Sequence, residues 1–117
     1  MKNMTGAFYD NLDVVSDTPI QIRASLSLLT SEEGGRSTPA TYKFRPNHNF
    51  GNSENINFFI GQIDPISTEW IHPGETKDVT VTFMNVRGLK EELYVGRKWR
   101  IQMGTLLIGY AVINEFL

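Results

Sequence analysis

The segment Glu32-Glu33-Gly34-Gly35-Arg36 contains the residue types that come nearest to a phosphate-binding loop. Successive glycine amides can cradle an anion. The Gly-x-x-x-x-Gly-Lys-Ser/Thr spacing is missing, however, and two carboxylates precede the glycines where they would repel phosphate. We therefore expect no nucleotide site. We interpret the segment as a loop in which Gly34 or Gly35 takes positive φ and Arg36 makes hydrogen bonds that fix the chain.

Other residues with catalytic or metal-binding chemistry are sparse. The two histidines, His48 and His72, have no cysteine near them, and the carboxylates show no recognisable ligand spacing, so we expect surface imidazoles and no metal site. Glu91 and Glu92 are adjacent, and adjacent side chains diverge on a strand or a helix, which does not suit a cooperating acid and base. No Gly-x-Ser-x-Gly nucleophile motif occurs. The sequence thus predicts no catalytic residue and no cofactor.

Length and composition suit one domain. The chain has 117 residues and no cysteine, and a domain of this size buries roughly two-thirds of its unfolded surface. No run of about 18 apolar residues occurs that would predict a membrane span. Residues 1–17 lack the apolar core of a signal peptide. We expect a cytoplasmic protein without disulfides or membrane segments.

The formal charge of -2 is unevenly distributed. Residues 1–17 carry Lys2 against three aspartates, so the rest of the chain balances ten basic against ten acidic side chains. A neutral domain does not favour DNA or broad nucleic-acid binding, which needs several cations on one face. Local basic clusters remain at residues 36–48 and 97–100, and by themselves they are typical of solvated faces.

The elements that would position these residues are strands. Residues 1–18 form a polar leader, either loose or laid along the domain, and residues 19–117 form the domain itself. From Ile20 to Leu28 apolar and polar residues alternate, and the same period of two recurs at 79–83 and 99–103. Several short strands separated by turns, without a long helical period, predict an all-β barrel or sandwich.

Two finer expectations follow from the same alternation. Thr41–Phe50 predicts a strand bent at Pro46, because proline cannot donate to a ladder. Trp99 is in phase with Ile101 and Met103 and is predicted to lie inside. For Trp70 two interpretations are open: it is a core aromatic residue, or it is exposed and anchors a partner.

Three motifs carry a family resemblance. Glu-Gly-Gly-Arg at 33–36, Thr38-Pro39 and Phe44-Arg45-Pro46 resemble the C-terminal domain of elongation factor Tu, where related motifs recur at the same separation. The resemblance continues in order at Pro73-Gly74-Glu75 and at 96–109. It covers roughly 20–117 and implies a six-stranded antiparallel β-barrel of Greek-key type, like the third domain of that factor. The GTPase part is absent, so the resemblance implies no GTPase activity.

The resemblance also implies contact positions. In elongation factor Tu the residue after Arg-Pro and the turn of the last hairpin touch the T stem of aminoacyl-tRNA, and here these positions are Asn47 and Gln102-Met103-Gly104. The family's two arginines and its acid at the hairpin are missing, and the apolar Met103 and Leu106 stand there instead. Apolar side chains suit a protein surface better than phosphates.

We therefore expect a non-enzymatic binding module that recognises a protein partner, one version being mimicry of the factor. The alternative is a translation-related module that contacts a tRNA stem. A third hypothesis is an inert remnant or a structural subunit of a larger assembly. The candidate partner-binding residues are Arg36, Lys43, Arg45, Asn47, Trp70, Arg100, Gln102 and Met103.

Overall fold

The computed structural model describes residues 9–117, with side chains from Asn11 onward. Seven strands occur in this part of the chain: β1 Tyr9–Asp10, β2 Ile20–Leu28, β3 Asn47–Asn49, β4 Asn57–Pro65, β5 Thr76–Phe83, β6 Lys98–Met103 and β7 Leu106–Phe116. A single 3₁₀ turn, Lys90–Glu92, is the helical element of the described residues. No helix within residues 9–117 has the length and apolarity needed to cross a membrane. The all-β prediction is confirmed.

Strands β2 to β7 close into a six-stranded antiparallel barrel. The pairs β3–β4, β3–β6, β6–β7, β2–β7, β2–β5 and β4–β5 complete the circle, and every one of them is antiparallel. Closure leaves no unpaired edge in the ring of six strands, which removes a route to strand-to-strand aggregation. In the ring, β6 lies beside β3, the first of the three consecutive strands β3, β4 and β5.

The N-terminal segment from Tyr9 to Thr18 lies along the barrel wall. Strand β1 pairs in parallel with the start of β4, Val14 forms a bridge with Val86, and Arg87 Nε donates to Asp13 Oδ2 at 2.6 Å. The reading of the leader as a segment laid along the domain therefore holds for these residues. The first eight residues of the predicted leader lie outside the described part of the chain.

The core is built from the inward rows of the strands, as the alternation predicts. In β2 the buried residues are Ile22, Ala24, Leu26 and Leu28, with the polar residues between them on the outside. Trp99 is 2% exposed, which agrees with its predicted place inside.

His48 corrects the prediction of a surface imidazole, since it is 0% exposed. It lies on β3, and its ring packs edge-on against Phe83 with ring centroids 4.9 Å apart. The signal was present in the sequence, because His48 shares the even positions of Phe44 and Phe50, which also pack against or within the core.

The predicted strand over Thr41–Phe50 is shorter in the structure. Only Asn47–Asn49 is a strand, while Ala40 and Phe44 form isolated bridges with Ile71 and Ile63. Lys43 between them has a φ of 60°, a left-handed conformation that does not fit a ladder. The chain therefore reaches β3 through a turn, and Pro46 immediately precedes the strand.

Candidate interaction surface

One end of the barrel collects most of the predicted contact residues. Because neighbouring strands are antiparallel, the connections β2–β3, β4–β5 and β6–β7 all emerge at the same end, here called the candidate end: residues 29–46, 66–75 and 104–105. The connections β3–β4 and β5–β6, residues 50–56 and 84–97, form the opposite end. The topology thus brings to one face loops that are far apart in sequence.

Three large apolar side chains are exposed on neighbouring segments of the candidate end. Tyr42 is 52%, Ile66 44% and Trp70 45% exposed. The turn that carries Tyr42 is tied to the segment that carries the other two, because Thr41 Oγ1 donates to Glu69 O at 2.8 Å. On its other side the Lys43 backbone N–H donates to Asp64 Oδ1 at 2.8 Å. Of the two readings of Trp70, the structure places it at the surface.

The β6–β7 hairpin adds a second apolar pair at the same end. Met103 and Leu106 face each other across the ladder and are 50% and 49% exposed. The hairpin is anchored to β3, since the backbone N–H of Gly104 donates to Asn47 Oδ1 at 2.8 Å. Asn47 therefore uses its amide oxygen to position the hairpin.

Arg36 fixes the β2–β3 loop from within, as predicted. Its Nη2 donates to Thr38 Oγ1 at 3.0 Å, and its guanidinium carbon lies 4.9 Å from the centre of the Phe44 ring. Gly34 takes the positive φ, 95°, and Gly35 does not. The Glu33 carboxylate also closes the loop, because it accepts from the backbone N–H of Thr30 at 2.9 Å, and this bond holds the pKa of Glu33 below its usual value.

Lys43 and Arg45 are both exposed. Lys43 is the non-glycine residue of the described chain with positive φ, and its backbone N–H donates to Asp64. Arg45 Nε donates to Gln62 Oε1 at 3.0 Å, which directs the guanidinium along the outer wall of β4. These two residues are the basic side chains of the candidate end that can reach a partner most readily.

Gln102 does not belong to an exposed surface, which corrects its place among the candidates. It is 2% exposed, and its Oε1 accepts from Asn49 Nδ2 at 2.7 Å and from Arg100 Nε at 2.9 Å. Its Nε2 donates to Gly104 O at 3.0 Å. Both amide atoms of Gln102 are therefore hydrogen-bonded within the fold. Its donor Asn49, the last residue of β3, is itself bonded to Asn52 and Asn55 of the β3–β4 connection.

Arg100 lies away from the candidate end, on the outer wall of β6. It shares a shallow concave site with Lys98 and Tyr110, and the Lys98 ammonium is 4.5 Å from the centre of the Tyr110 ring. The predicted residues thus separate. Arg36, Lys43, Arg45, Trp70 and Met103 lie at or beside the candidate end, Asn47 supports it, and Arg100 faces another direction.

Tyr42 and Ile66 are surface residues that the sequence analysis did not assign to the site. Tyr42 shares the even positions of Phe44 and Phe50, and Ile66 follows the buried Pro65. The contacts that hold the turn around Tyr42 come from Asp64 and Glu69, more than 20 positions away in the chain, so alternation within one segment carried no signal for its exposure.

Charge at the candidate end is mixed. Residues 29–46 and 66–75 contain Arg36, Lys43 and Arg45 against four acids: Glu32, Glu33, Glu69 and Glu75. This balance gives no positive face of the kind that attracts a phosphate backbone. Within residues 9–117 no group of three or more metal-ligating side chains occurs.

No protein-family model matches the chain.

Proposed function

We propose that this protein is a non-enzymatic binding module, similar to the third domain of elongation factor Tu, whose candidate end recognises a protein partner. The observation that carries the proposal is the convergence of five exposed apolar side chains on one end: Tyr42, Ile66, Trp70, Met103 and Leu106. Trp, Tyr and Met are the residue types enriched in protein interfaces, and Trp and Tyr dominate their binding energy.

The hydrogen bonds between these loops also favour an interface that is formed before a partner binds. Hydrogen bonds from Thr41 to Glu69 and from Lys43 to Asp64 hold the loops together before a partner arrives. A surface that needs little ordering loses less conformational entropy on association. Lys43 and Arg45 lie at the edge of this surface. Exposed charges at such positions speed the encounter with a partner and fix its orientation more than they raise the affinity.

One version of the proposal is mimicry, in which the small barrel competes with elongation factor Tu for a protein that binds the factor. The motifs at 33–46 and the closed six-stranded barrel support it, since both are expected of that domain. A protein partner is favoured over a tRNA stem because the loops of the candidate end balance three basic with four acidic residues.

A capture experiment tests the proposal. Tagged protein is incubated with lysate of the source cell, with and without ribonuclease, and bound proteins and RNAs are both identified. We expect a protein at near-stoichiometric yield that ribonuclease does not release, and that added elongation factor Tu displaces if mimicry operates. Recovery of tRNA alone, lost steeply with added salt and on Arg45→Ala, would establish the RNA alternative instead. If neither a protein nor an RNA is recovered, only the hypothesis of an inert remnant or structural subunit remains.

A further inference from the structure

A groove runs along the outer wall of β4 and β5. Its volume is about 550 Å³, within the range of roughly 300–1,000 Å³ typical of small-molecule sites. Ile60 and Met84 are apolar residues that line it, and Val14 of the N-terminal segment and the following Pro19 line it as well. This groove lies on the side of the barrel and shares only Arg45 with the candidate end.

The wall made by the N-terminal segment is firmly held. The backbone N–H of Val15 donates to Asn85 O at 2.9 Å, and the backbone N–H of Arg87 donates to Asp13 O at 2.9 Å. Side chains add the ion pair between Arg87 and Asp13. The groove is therefore part of the folded structure and needs no rearrangement to form.

Asn85 Oδ1 is a hydrogen-bond acceptor to which no described residue donates. The residue lines the groove and is 6% exposed, yet its Oδ1 is buried and has no hydrogen-bond partner among the described residues. A buried polar atom without a partner is costly, and few such atoms occur in native proteins. Such an atom calls for a donor. Because Asn85 Oδ1 has almost no accessible surface, a ligand in the groove reaches it only when the Asn85 side chain turns toward the groove.

Two opposite charges complete the groove. Arg45 and Asp17 are the charged residues among those that line it, and they do not pair with each other. Arg45 commits only its Nε, to Gln62 Oε1, which leaves the two terminal nitrogens without a partner among the described residues. A guanidinium binds a carboxylate in two-pronged fashion, while a carboxylate and an amide oxygen both accept from an ammonium group.

We propose that this groove binds a small zwitterionic ligand with an apolar body, for which a dipeptide of apolar residues is the simplest case. Arg45 binds the carboxylate and Asp17 accepts from the ammonium group, while Ile60 and Met84 contact the apolar side chains. The Asn85 side chain turns toward the groove, so that its Oδ1 also accepts from the ammonium group. The ligand satisfies the buried acceptor, and its two charges complement the two charges of the groove.

The probe is leucyl-leucine, followed by the NMR methyl signals of Ile60 and Met84 in the full chain. We expect a saturable shift of both signals with a Kd below about 1 mM. N-acetyl-leucyl-leucine and leucyl-leucinamide each lose one charged contact and are expected to bind at least about tenfold more weakly. No saturable shift up to about 10 mM, or equal binding of the blocked and unblocked dipeptides, would overturn the proposal.

Variants locate the site. Arg45→Gln is expected to weaken binding at least about tenfold, and Arg100→Gln is its matched control, since Arg100 also donates through Nε to a glutamine outside the groove. Asn85→Leu removes the acceptor and is expected to weaken binding about fivefold or more. An equal loss in the Arg100 variant would contradict the assignment. Since Asn85 does not belong to the candidate end, its variant keeps any protein partner, which separates failure here from failure of the proposed function.

Discussion

Gly109→Ala is expected to cost about 3 kcal/mol or more of unfolding free energy, enough to unfold a marginal domain. Gly109 of β7 pairs with Leu28 of β2, and an added Cβ would lie 2.4 Å from the backbone oxygen of Ser27. The obstructing atom belongs to the backbone, so it cannot rotate away as a side chain would. The β2–β7 pair, one of the six that close the barrel, must then separate locally.

The measurement is chemical denaturation of Gly109→Ala beside Gly88→Ala. Gly88 has a φ of 88° and open space around its Cβ position, so its substitution adds only the cost of a left-handed residue, about 1–2 kcal/mol. Equal stability of the two variants would show that β2 and β7 do not approach as closely as the barrel requires.

Acid is expected to destabilise the fold through His48, by about 2 kcal/mol between pH 7 and pH 5. The ring is neutral with its proton on Nε2: Trp99 Nε1 donates to Nδ1 at 3.0 Å, and Nε2 faces Gly61 O at 3.0 Å. Burial lowers the pKa of His48 to about 4, against the opposing effect of the bond to Gly61. A second proton on Nδ1 would set two donors against each other.

The sign of this effect follows from proton uptake. Between pH 6.5 and about 4 the unfolded chain protonates His48 and the folded chain does not, so stability falls as pH falls through that window. Stopping at pH 5 separates the effect from Glu33 and Glu75, whose pKa values lie below their usual range because backbone N–H groups of Thr30 and His72 donate to them. Their contribution is lost only at lower pH.

Two histidine variants test the assignment. The slope of unfolding free energy against pH is expected to vanish in His48→Gln and to persist in His72→Gln, since the His72 ring is exposed. A wild-type stability that does not change between pH 7 and pH 5, or a slope that survives the loss of His48, would contradict a neutral buried imidazole.

The alternation of apolar residues predicted the fold class and most of the core, because a period of two is a local property of each strand. It also placed Trp99 inside. It did not lead to the prediction of a buried His48. The polar residue type favoured a surface position, although His48 shares the even positions of the apolar Phe44 and Phe50. A buried histidine is identified only when its two nitrogens find partners, and here these come from Gly61 and Trp99, 13 and 51 positions away.

The candidate surface was harder to predict because its residues come together only through barrel closure. Gln102 lies on the outward row of β6 with Lys98 and Arg100, so alternation correctly turns it away from the core. Gln102 is nevertheless buried, and its amide oxygen accepts a hydrogen bond from Asn49 of β3, 53 positions away. Tyr42 is the opposite case, because it shares the even positions of Phe44 and Phe50 and yet lies at the surface. The turn that carries it is held by contacts to Asp64 and Glu69.

Capture of the partner by two paired variants tests the central claim most directly. Trp70→Ser with Met103→Ser removes apolar surface from the candidate end, whereas Tyr94→Ser with Val95→Ser removes side chains that are 54% and 61% exposed at the opposite end. Each pair must first show a wild-type unfolding midpoint. We predict that the first pair lowers recovery of the partner at least about tenfold and that the second retains it. Equal recovery by both pairs, or loss only in the second, would contradict recognition through the candidate end.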